Sequence, residues 1–131
     1  MPKKAIIIED DVNILYSLQS KFSVAGFEVE IDDGRLGDKE IVERIKKIKP
    51  GFIILDLVLP RADGFKILAL LKADESLGAV PKFVFTNLSD QDSREKGMDL
   101  GASCYAIKSE MNIDEFVNKV LAVLKNVKMV D

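Results

Sequence analysis

The chain has 131 residues, of which 47% are hydrophobic and 31% are charged, and its formal net charge is −3. This length suits a single domain with one hydrophobic core. The absence of histidine excludes a Ser-His-Asp triad, a histidine-ligated metal and a phosphohistidine on this chain. The single cysteine, Cys104, excludes an internal disulfide and suits a reducing cytosol, so we expect a cytoplasmic protein. The acidic balance argues against direct nucleic-acid binding, and no apolar run approaches the ~20 residues of a membrane span.

Hydrophobic patterning predicts five strands. Continuously apolar runs are typical of strands that are buried on both faces, whereas the strict alternation at 27–31 indicates a half-exposed edge strand. The five predicted strands cover residues 5–8, 27–31, 52–56, 82–86 and 103–107.

Apolar residues at helical spacing follow four of the predicted strands and predict four helices, and a capping pattern with a closing Gly101 predicts another after the fourth strand. In the third helix we expect four side chains to face the core: Phe65, Leu68, Ala69 and Leu71. Residues 89–92 are similar to a capping box at the start of the fourth helix, and residues 112–115 cap the fifth. This alternation predicts a doubly wound α/β fold, with a parallel sheet and helices on both faces. We expect one domain over residues 1–131, with its core at about 4–127 and no effector domain.

Charged and polar side chains stand where four of the predicted strands end. Ligands of doubly wound sheets bind beyond the carboxyl ends of the strands. If strands one, three, four and five are neighbours, these side chains converge at one edge of the sheet. They are Glu9, Asp10 and Asp11 after the first strand, Asp56 and Thr86 at the ends of the third and fourth, and Lys108 after the fifth.

This set of residues favours a site for a metal and a phosphoryl group. Carboxylates so close together repel one another unless a cation lies among them, and oxygen-only ligands indicate a hard divalent ion such as Mg²⁺. A carboxylate can accept a phosphoryl group when a metal and a cation offset the incoming charge. Lys108 offers that cation, and Thr86 offers a hydrogen bond. Each residue alone has an ordinary structural explanation, such as a helix start or a turn, but the combination favours a site.

With these residues, the chain resembles the response-regulator receiver domains of two-component signalling, which have the chemotaxis-regulator fold. The resemblance extends from residue 4 to about residue 127 and implies a flavodoxin-like parallel sheet of strand order 2-1-3-4-5. Five motifs carry it: Ile7-Ile8-Glu9-Asp10-Asp11, Leu55-Asp56-Leu57-Val58-Leu59-Pro60, Asp63-Gly64, Phe85-Thr86-Asn87 and Tyr105-Ala106-Ile107-Lys108.

The resemblance implies a role for each residue of the site. Asp56 is the phosphorylated aspartate, and Lys108 contacts the phosphoryl group. Mg²⁺ is bound by the acidic pair Glu9 and Asp10, by Asp56, and by the backbone carbonyl of Val58. Thr86 is the switch hydroxyl, and Tyr105 is the aromatic residue whose rotamer follows it. Asp11 is expected to begin the first helix rather than to bind the metal.

Two departures from the family pattern concern the site. Ser109 follows Lys108 where the family usually has a proline in a cis bond, which leaves the state of this peptide and the placement of Lys108 open. Asn87 stands after the switch threonine where the family usually has a small residue, and its larger amide side chain can narrow access to the site.

The lifetime of the phosphoryl group depends on a water held in line with the phospho-aspartate. The residues two positions after Asp56 and Thr86 are Val58 and Leu88, and neither side chain has a hydrogen-bonding atom. Relatives that cycle quickly have polar residues there that orient the water. We therefore expect a slowly hydrolysing phospho-form, with the side chain of Asn87 as a further influence.

The predicted function is a phosphoacceptor. A histidine kinase or phosphotransfer protein would donate the phosphoryl group to Asp56, and a downstream protein would bind the face formed by residues 89–127. We expect a monomer or a weak homodimer, with self-phosphotransfer and slow autodephosphorylation as its only chemistry rather than enzymatic turnover. One alternative is a degenerate receiver that docks without phosphorylation. A less favoured one is an aspartate-nucleophile phosphatase, whose motif needs a second acid where Val58 stands.

Overall fold

A computed structural model describes residues 4–130, with side chains described over residues 4–126. Five strands alternate with five helices along the chain. In chain order the elements are β1 (Lys4–Ile8), α1 (Val12–Val24), β2 (Glu28–Asp32), α2 (Asp38–Ile48), β3 (Phe52–Leu55), α3 (Gly64–Ala73), β4 (Lys82–Thr86), α4 (Gln91–Asp99), β5 (Cys104–Ile107) and α5 (Ile113–Val130).

The five strands form one parallel sheet in the order β2-β1-β3-β4-β5. The predicted doubly wound fold and its strand order are therefore confirmed. Every residue of β3 is buried, as its continuously apolar sequence predicts, and every residue of its neighbour β4 is buried as well, including the terminal Lys82 and Thr86. β2 lies at the edge and is only partly buried, in agreement with its alternating sequence.

Side chains of successive strand residues point to opposite faces of the sheet, so the molecule has a core on each face. On one face, strand residues such as Ile8, Leu55 and Ile107 pack under α2 and α3. On the other, α1 and α5 cover a core rich in phenylalanine, in which Phe52 contacts three other rings edge-on and Phe85 stacks on Phe116 at 4.3 Å.

The buried face of α3 differs from the predicted one. Ala69 is exposed and Phe65 is half-buried, and the residues that face the core are Gly64, Ile67, Leu68 and Leu71. Asp63 caps the helix by accepting a hydrogen bond from the backbone N–H of Phe65 at 2.9 Å. Gly64 lies so close to the backbone of Leu57 that an added Cβ would come within 2.3 Å of its Cα. The buried residues occupy the i, i+3, i+4 and i+7 positions of one helix face, and Ala69 lies outside that face.

The two predicted helix starts have different outcomes. In α5 the capping box is present, because Asn112 and Glu115 each accept a hydrogen bond from the backbone N–H of the other, at 2.8 and 3.0 Å. In α4 the helix begins within the predicted stretch 89–92, but its cap is Asp90 rather than Ser89, and Asp90 accepts from the backbone N–H of Ser93 at 3.0 Å. Between residues 4 and 130, no helix has both the length and the apolar character needed to cross a membrane.

Candidate functional site

The carboxyl edge of the sheet brings the predicted site residues together. Glu9 directly follows β1 and Asp56 directly follows β3, and these strands are paired side by side, with Ile8 opposite Leu55. The backbone N–H of Asp56 donates to the carbonyl of Ile8 at 3.0 Å, which continues the ladder into the site. The pairing of β1 with β3 thus places Glu9 and Asp56 side by side at the carboxyl edge of the sheet.

Three carboxylates form a compact cluster. Glu9, Asp10 and Asp56 each offer an oxygen, and these oxygens all lie within 4.8 Å of one another. Glu9 and Asp56 are buried, whereas Asp10 is half-exposed. Asp11 does not join them: its carboxylate accepts from the backbone N–H groups of residues 13 and 14 and caps α1, as the sequence predicted.

Lys108 lies between two of these acids. Its Nζ is 2.7 Å from Glu9 Oε1 and 2.8 Å from Asp56 Oδ2. The backbone N–H of Lys108 donates to the carbonyl of Thr86 at 2.8 Å, so the β4–β5 ladder sets its position. The peptide bond to Ser109 is trans, as are all the peptide bonds of the described chain. Lys108 therefore reaches the acids without a cis bond after it.

Burial favours the neutral forms of Glu9 and Lys108, whereas the hydrogen bonds between Lys108 and the acids favour the charged forms. Burial raises the pKa of Glu9, and the charge of Asp56 adds to that rise, while the Lys108 ammonium opposes it. Burial alone would lower the pKa of Lys108, but its hydrogen bonds to Asp56 and Glu9 raise that pKa above the ordinary value. One lysine therefore stabilises the acids only in part.

The donor set fits a hard divalent cation. With all three carboxylates ionised, the cluster and Lys108 together carry two excess negative charges, which one divalent ion balances. All available donors are oxygens, the ligands that Mg²⁺ prefers. Val58, whose carbonyl was predicted as a further ligand, donates its backbone N–H to Asp56 Oδ1 at 3.1 Å and so lies beside the cluster.

Thr86 and Tyr105 are linked because both side chains form hydrogen bonds with the backbone of Leu88. The buried Thr86 hydroxyl accepts a hydrogen bond from the N–H of Leu88 at 3.3 Å, and the carbonyl of Leu88 accepts one from the Tyr105 hydroxyl at 2.8 Å. The Tyr105 side chain lies inside the protein, and burial raises the pKa of its phenol. The sequence identified both side chains but not this link, because a backbone contact leaves no residue-type signal.

The three residues predicted to set the phosphoryl lifetime lie in the two loops that leave the site. Val58 is 53% exposed and lies in the loop after β3. Asn87 is exposed and Leu88 is half-buried in the loop after β4. Their placement is compatible with a role at the mouth of the site, and that role stays a prediction.

The loop after β3 is held by residues that sequence reasoning missed. Asp38, at the start of α2, accepts a hydrogen bond from the backbone N–H of Asp63 at 2.7 Å. Gly34 packs against Leu59, and an added Cβ there would lie 2.7 Å from Leu59 Cδ2. The only sequence signal for these contacts was an acid at a helix start and a glycine in a turn, and neither points to its partner.

Comparison with known proteins gives matches over most of the chain. The model of the response regulator receiver domain matches residues 5–121. The DNA-binding dual master transcriptional regulator RpaA of Synechocystis sp. is 32% identical over 126 residues, which are 95% of this chain and 50% of that protein. The chain spans about half the length of the curated relatives it matches.

Solved structures show the same fold. A CheY-like response regulator receiver domain protein from Methanospirillum hungatei JF-1 superposes over all of both chains, with a TM-score of 0.84 and 23% identity. The phosphorylated cyanobacterial phytochrome response regulator RcpA has a TM-score of 0.76 and 25% identity, over 94% of this chain and 91% of that one. Because the family match covers most of its length, the chain belongs to the response regulator receiver domain family.

Proposed function

We propose that this receiver accepts a phosphoryl group on Asp56 in a reaction that requires Mg²⁺. The observation that carries the proposal is the surroundings of Asp56. It is a buried carboxylate at the end of a central strand, it lies among two other acids, and its Oδ2 is 2.8 Å from Lys108 Nζ. The donor would be a histidine kinase or a phosphotransfer protein, because this chain has no histidine of its own.

In the transfer, a carboxylate oxygen of Asp56 forms a bond to phosphorus while the bond from phosphorus to the donor breaks. The donor atom keeps the electron pair of that bond. Bound Mg²⁺ supplies positive charge to the phosphoryl oxygens. Glu9, Asp10, Asp56 and the carbonyl of Val58 are the residues that would hold it. Lys108 is already at hydrogen-bond distance from Asp56 and is placed to contact an oxygen of the attached group.

The new group changes the contacts of Thr86. A phospho-aspartate adds charge and acceptor oxygens, so the Thr86 hydroxyl gains an alternative to its present bond with Leu88. Because Leu88 also binds the Tyr105 hydroxyl, a shift of this loop reaches β5 and α4. Two arrangements that differ by a few kcal/mol are sufficient to change partner affinity.

The output is proposed to be protein binding on the face formed by residues 89–127, which comprises α4, β5 and most of α5. The side chain of residue 127 lies outside the described part of the chain. RpaA is described as DNA-binding, but the net charge of −3 argues against direct nucleic-acid contact by this receiver. A monomer or weak homodimer remains our expectation for its assembly.

The acceptor is tested with a small phosphodonor. The protein is incubated with acetyl phosphate and Mg²⁺, and the phosphoryl adduct is followed by intact mass. Asp56→Asn keeps the shape but removes the nucleophilic charge, so this variant should gain no adduct. Asp11→Asn is the matched control, because asparagine also caps helices and Asp11 lies outside the cluster. Labelling of Asp56→Asn to the wild-type extent would show that the acceptor is another residue, and an unlabelled wild type would favour the phosphorylation-independent docking module.

Slow hydrolysis is tested separately. After labelling, the donor is removed and loss of the adduct is followed with Mg²⁺ present. Val58 and Leu88 offer no polar side-chain atom to hold the attacking water, so decay over much longer than seconds is expected. The double variant Val58→Asn with Leu88→Glu should decay faster, and Asn87→Ala reports the separate influence of the amide. Equal decay of the double variant and the wild type would assign the rate to another group.

A further inference from the structure

One glycine of α4 lies directly against the ring of Tyr105. Among the nine residues of α4, all of which the structure describes, Gly97 alone is buried. A Cβ added at Gly97 would lie 2.8 Å from Cδ2 and 2.9 Å from Cε2 of Tyr105. Carbon atoms do not approach so closely without displacement of one of them. The ring therefore uses space that any other residue at position 97 would fill.

The helix itself gains nothing from this glycine. Glycine in a helix interior is unfavourable relative to alanine, because it loses more backbone freedom on folding. Gly97 lies inside the helix, and the positive φ values that favour glycine occur instead at Gly26, Gly34 and Gly101. Its presence in the seventh position of α4 is therefore explained by the ring and not by the backbone.

Two further contacts hold the Tyr105 ring in this space. Its hydroxyl donates to the carbonyl of Leu88 at 2.8 Å, and the Arg94 guanidinium carbon lies 5.5 Å from the ring centroid. The side chain is only 4% exposed. The inner position of the ring is thus defined by α4 on one side and by the loop after β4 at its hydroxyl end.

We propose that Gly97 is a positioning residue that admits the Tyr105 ring beneath α4, and that any side chain at position 97 excludes the ring from the protein interior. The ring in turn joins α4 to Leu88 and hence to Thr86. Position 97 therefore determines whether the surface of α4 and β5 can follow events at Thr86. Only this last consequence depends on the phosphoacceptor function proposed above.

The composition of the chain allows a direct optical test. It has two tyrosines and no tryptophan, so in a Tyr16→Phe background Tyr105 is the only strong fluorophore. Tyr16 is 57% exposed, and its replacement leaves the core intact. Quenching by acrylamide should be weak when residue 97 is glycine. It should increase several-fold in Gly97→Ala, towards the quenching of a free tyrosine, because the expelled ring meets solvent.

Met98→Ala is the matched control, since Met98 is the next residue of the same helix and is 45% exposed. Its quenching should equal that of the Tyr16→Phe parent. If Gly97→Ala is quenched no more strongly than Met98→Ala, the ring tolerates a side chain at position 97 and the proposal is overturned.

A second variant tests the proposal even if Gly97→Ala alone does not fold. In a Tyr105→Ala background the ring is absent, so Gly97→Ala should raise the melting temperature through the better helix propensity of alanine. A lower melting temperature in that background would show that position 97 meets something other than the ring, and would overturn the proposal. Acetyl phosphate labelling of the wild type tests the phosphoacceptor function independently, because neither the quenching nor the melting experiment requires phosphorylation.

Discussion

Two lysines lie at opposite edges of the sheet, Lys82 buried and Lys108 half-buried, and their contacts differ in kind. Lys108 follows β5 at the carboxyl edge, where its Nζ contacts the carboxylates of Glu9 and Asp56. Lys82 begins β4 at the amino edge and is 1% exposed. Its Nζ donates to three backbone carbonyls of the loop after α3, at distances of 3.1, 3.1 and 2.8 Å: those of Leu77, Gly78 and Val80.

The pKa values of the two ammonium groups shift in opposite directions. Burial lowers the pKa of Lys82. Burial also acts on Lys108, but hydrogen bonds to Asp56 and Glu9 outweigh it and raise its pKa. Full negative charges compensate for lost hydration better than carbonyl dipoles do. Lys108 therefore belongs to a cluster with excess negative charge that a cation can share, whereas the described partners of Lys82 Nζ are uncharged main-chain carbonyls.

The largest expected effect is that of Lys108→Met on stability in the absence of Mg²⁺. Removing one partner of a buried ion pair leaves the others uncompensated, so we expect the free energy of unfolding to fall by about 3 kcal/mol. Added Mg²⁺ should restore part of that loss, because it replaces the missing positive charge. Urea unfolding with and without Mg²⁺ measures both. The exposed Lys119→Met serves as the control, and a loss that Mg²⁺ leaves unchanged would contradict the shared-charge interpretation.

Lys82→Met should cost about 2 kcal/mol, because it leaves buried carbonyl groups without donors. Unlike the loss of stability in Lys108→Met, the loss in Lys82→Met should be insensitive to Mg²⁺. The Lys82→Met variant should also be labelled at Asp56 to the wild-type extent. The same urea series gives the comparison. Recovery of Lys82→Met by Mg²⁺ would mean that the two edges of the sheet are coupled, and the contrast between the lysines would then fail.

Asp10→Asn should separate the effect of repulsion among the carboxylates from the effect of Mg²⁺ binding. Among the described contacts Asp10 makes no ion pair, so its removal relieves repulsion within the cluster and should raise stability without Mg²⁺ by less than about 1 kcal/mol. The same variant should lose most of the stabilisation that Mg²⁺ gives the wild type through mass action. Melting temperatures over a Mg²⁺ titration test both, with Asp11→Asn as the control. Equal Mg²⁺ responses in wild type and variant would remove Asp10 from the metal site.

The smallest effect concerns the ion pair between the exposed Lys46 and the half-buried Asp74. Hydrogen bonds from Ser76 and Lys46 lower the pKa of Asp74 to about 2. A lowered folded-state pKa stabilises the protein above the unfolded-state pKa of about 4, and this contribution is lost as the pH falls towards 2. The melting temperature of Asp74→Asn should therefore lie below that of the wild type at pH 6 and converge with it near pH 2. A constant difference across this range would assign the effect to something other than ionisation.

The sequence by itself determined the fold and the identity of the acidic cluster. Short apolar or alternating runs, each followed by a helix, are compatible with few arrangements other than a parallel sheet covered on both faces. In such a sheet the residues after neighbouring strands must meet at one edge, so Glu9, Asp56 and Lys108 could be placed together without coordinates.

Only the tertiary structure decided which contacts hold these elements in place. Gly64 of α3 lies against the backbone of Leu57, a close approach that its residue type alone does not indicate. The space for Tyr105 depends on Gly97, and the partners of Lys82 are main-chain carbonyls. Hydrophobic periodicity specifies which face of a helix is apolar, but not how closely that face approaches a neighbour. A contact with a backbone group does not depend on the identity of the residue that provides the group. Such contacts therefore cannot be predicted from the sequence and are seen only in the folded structure.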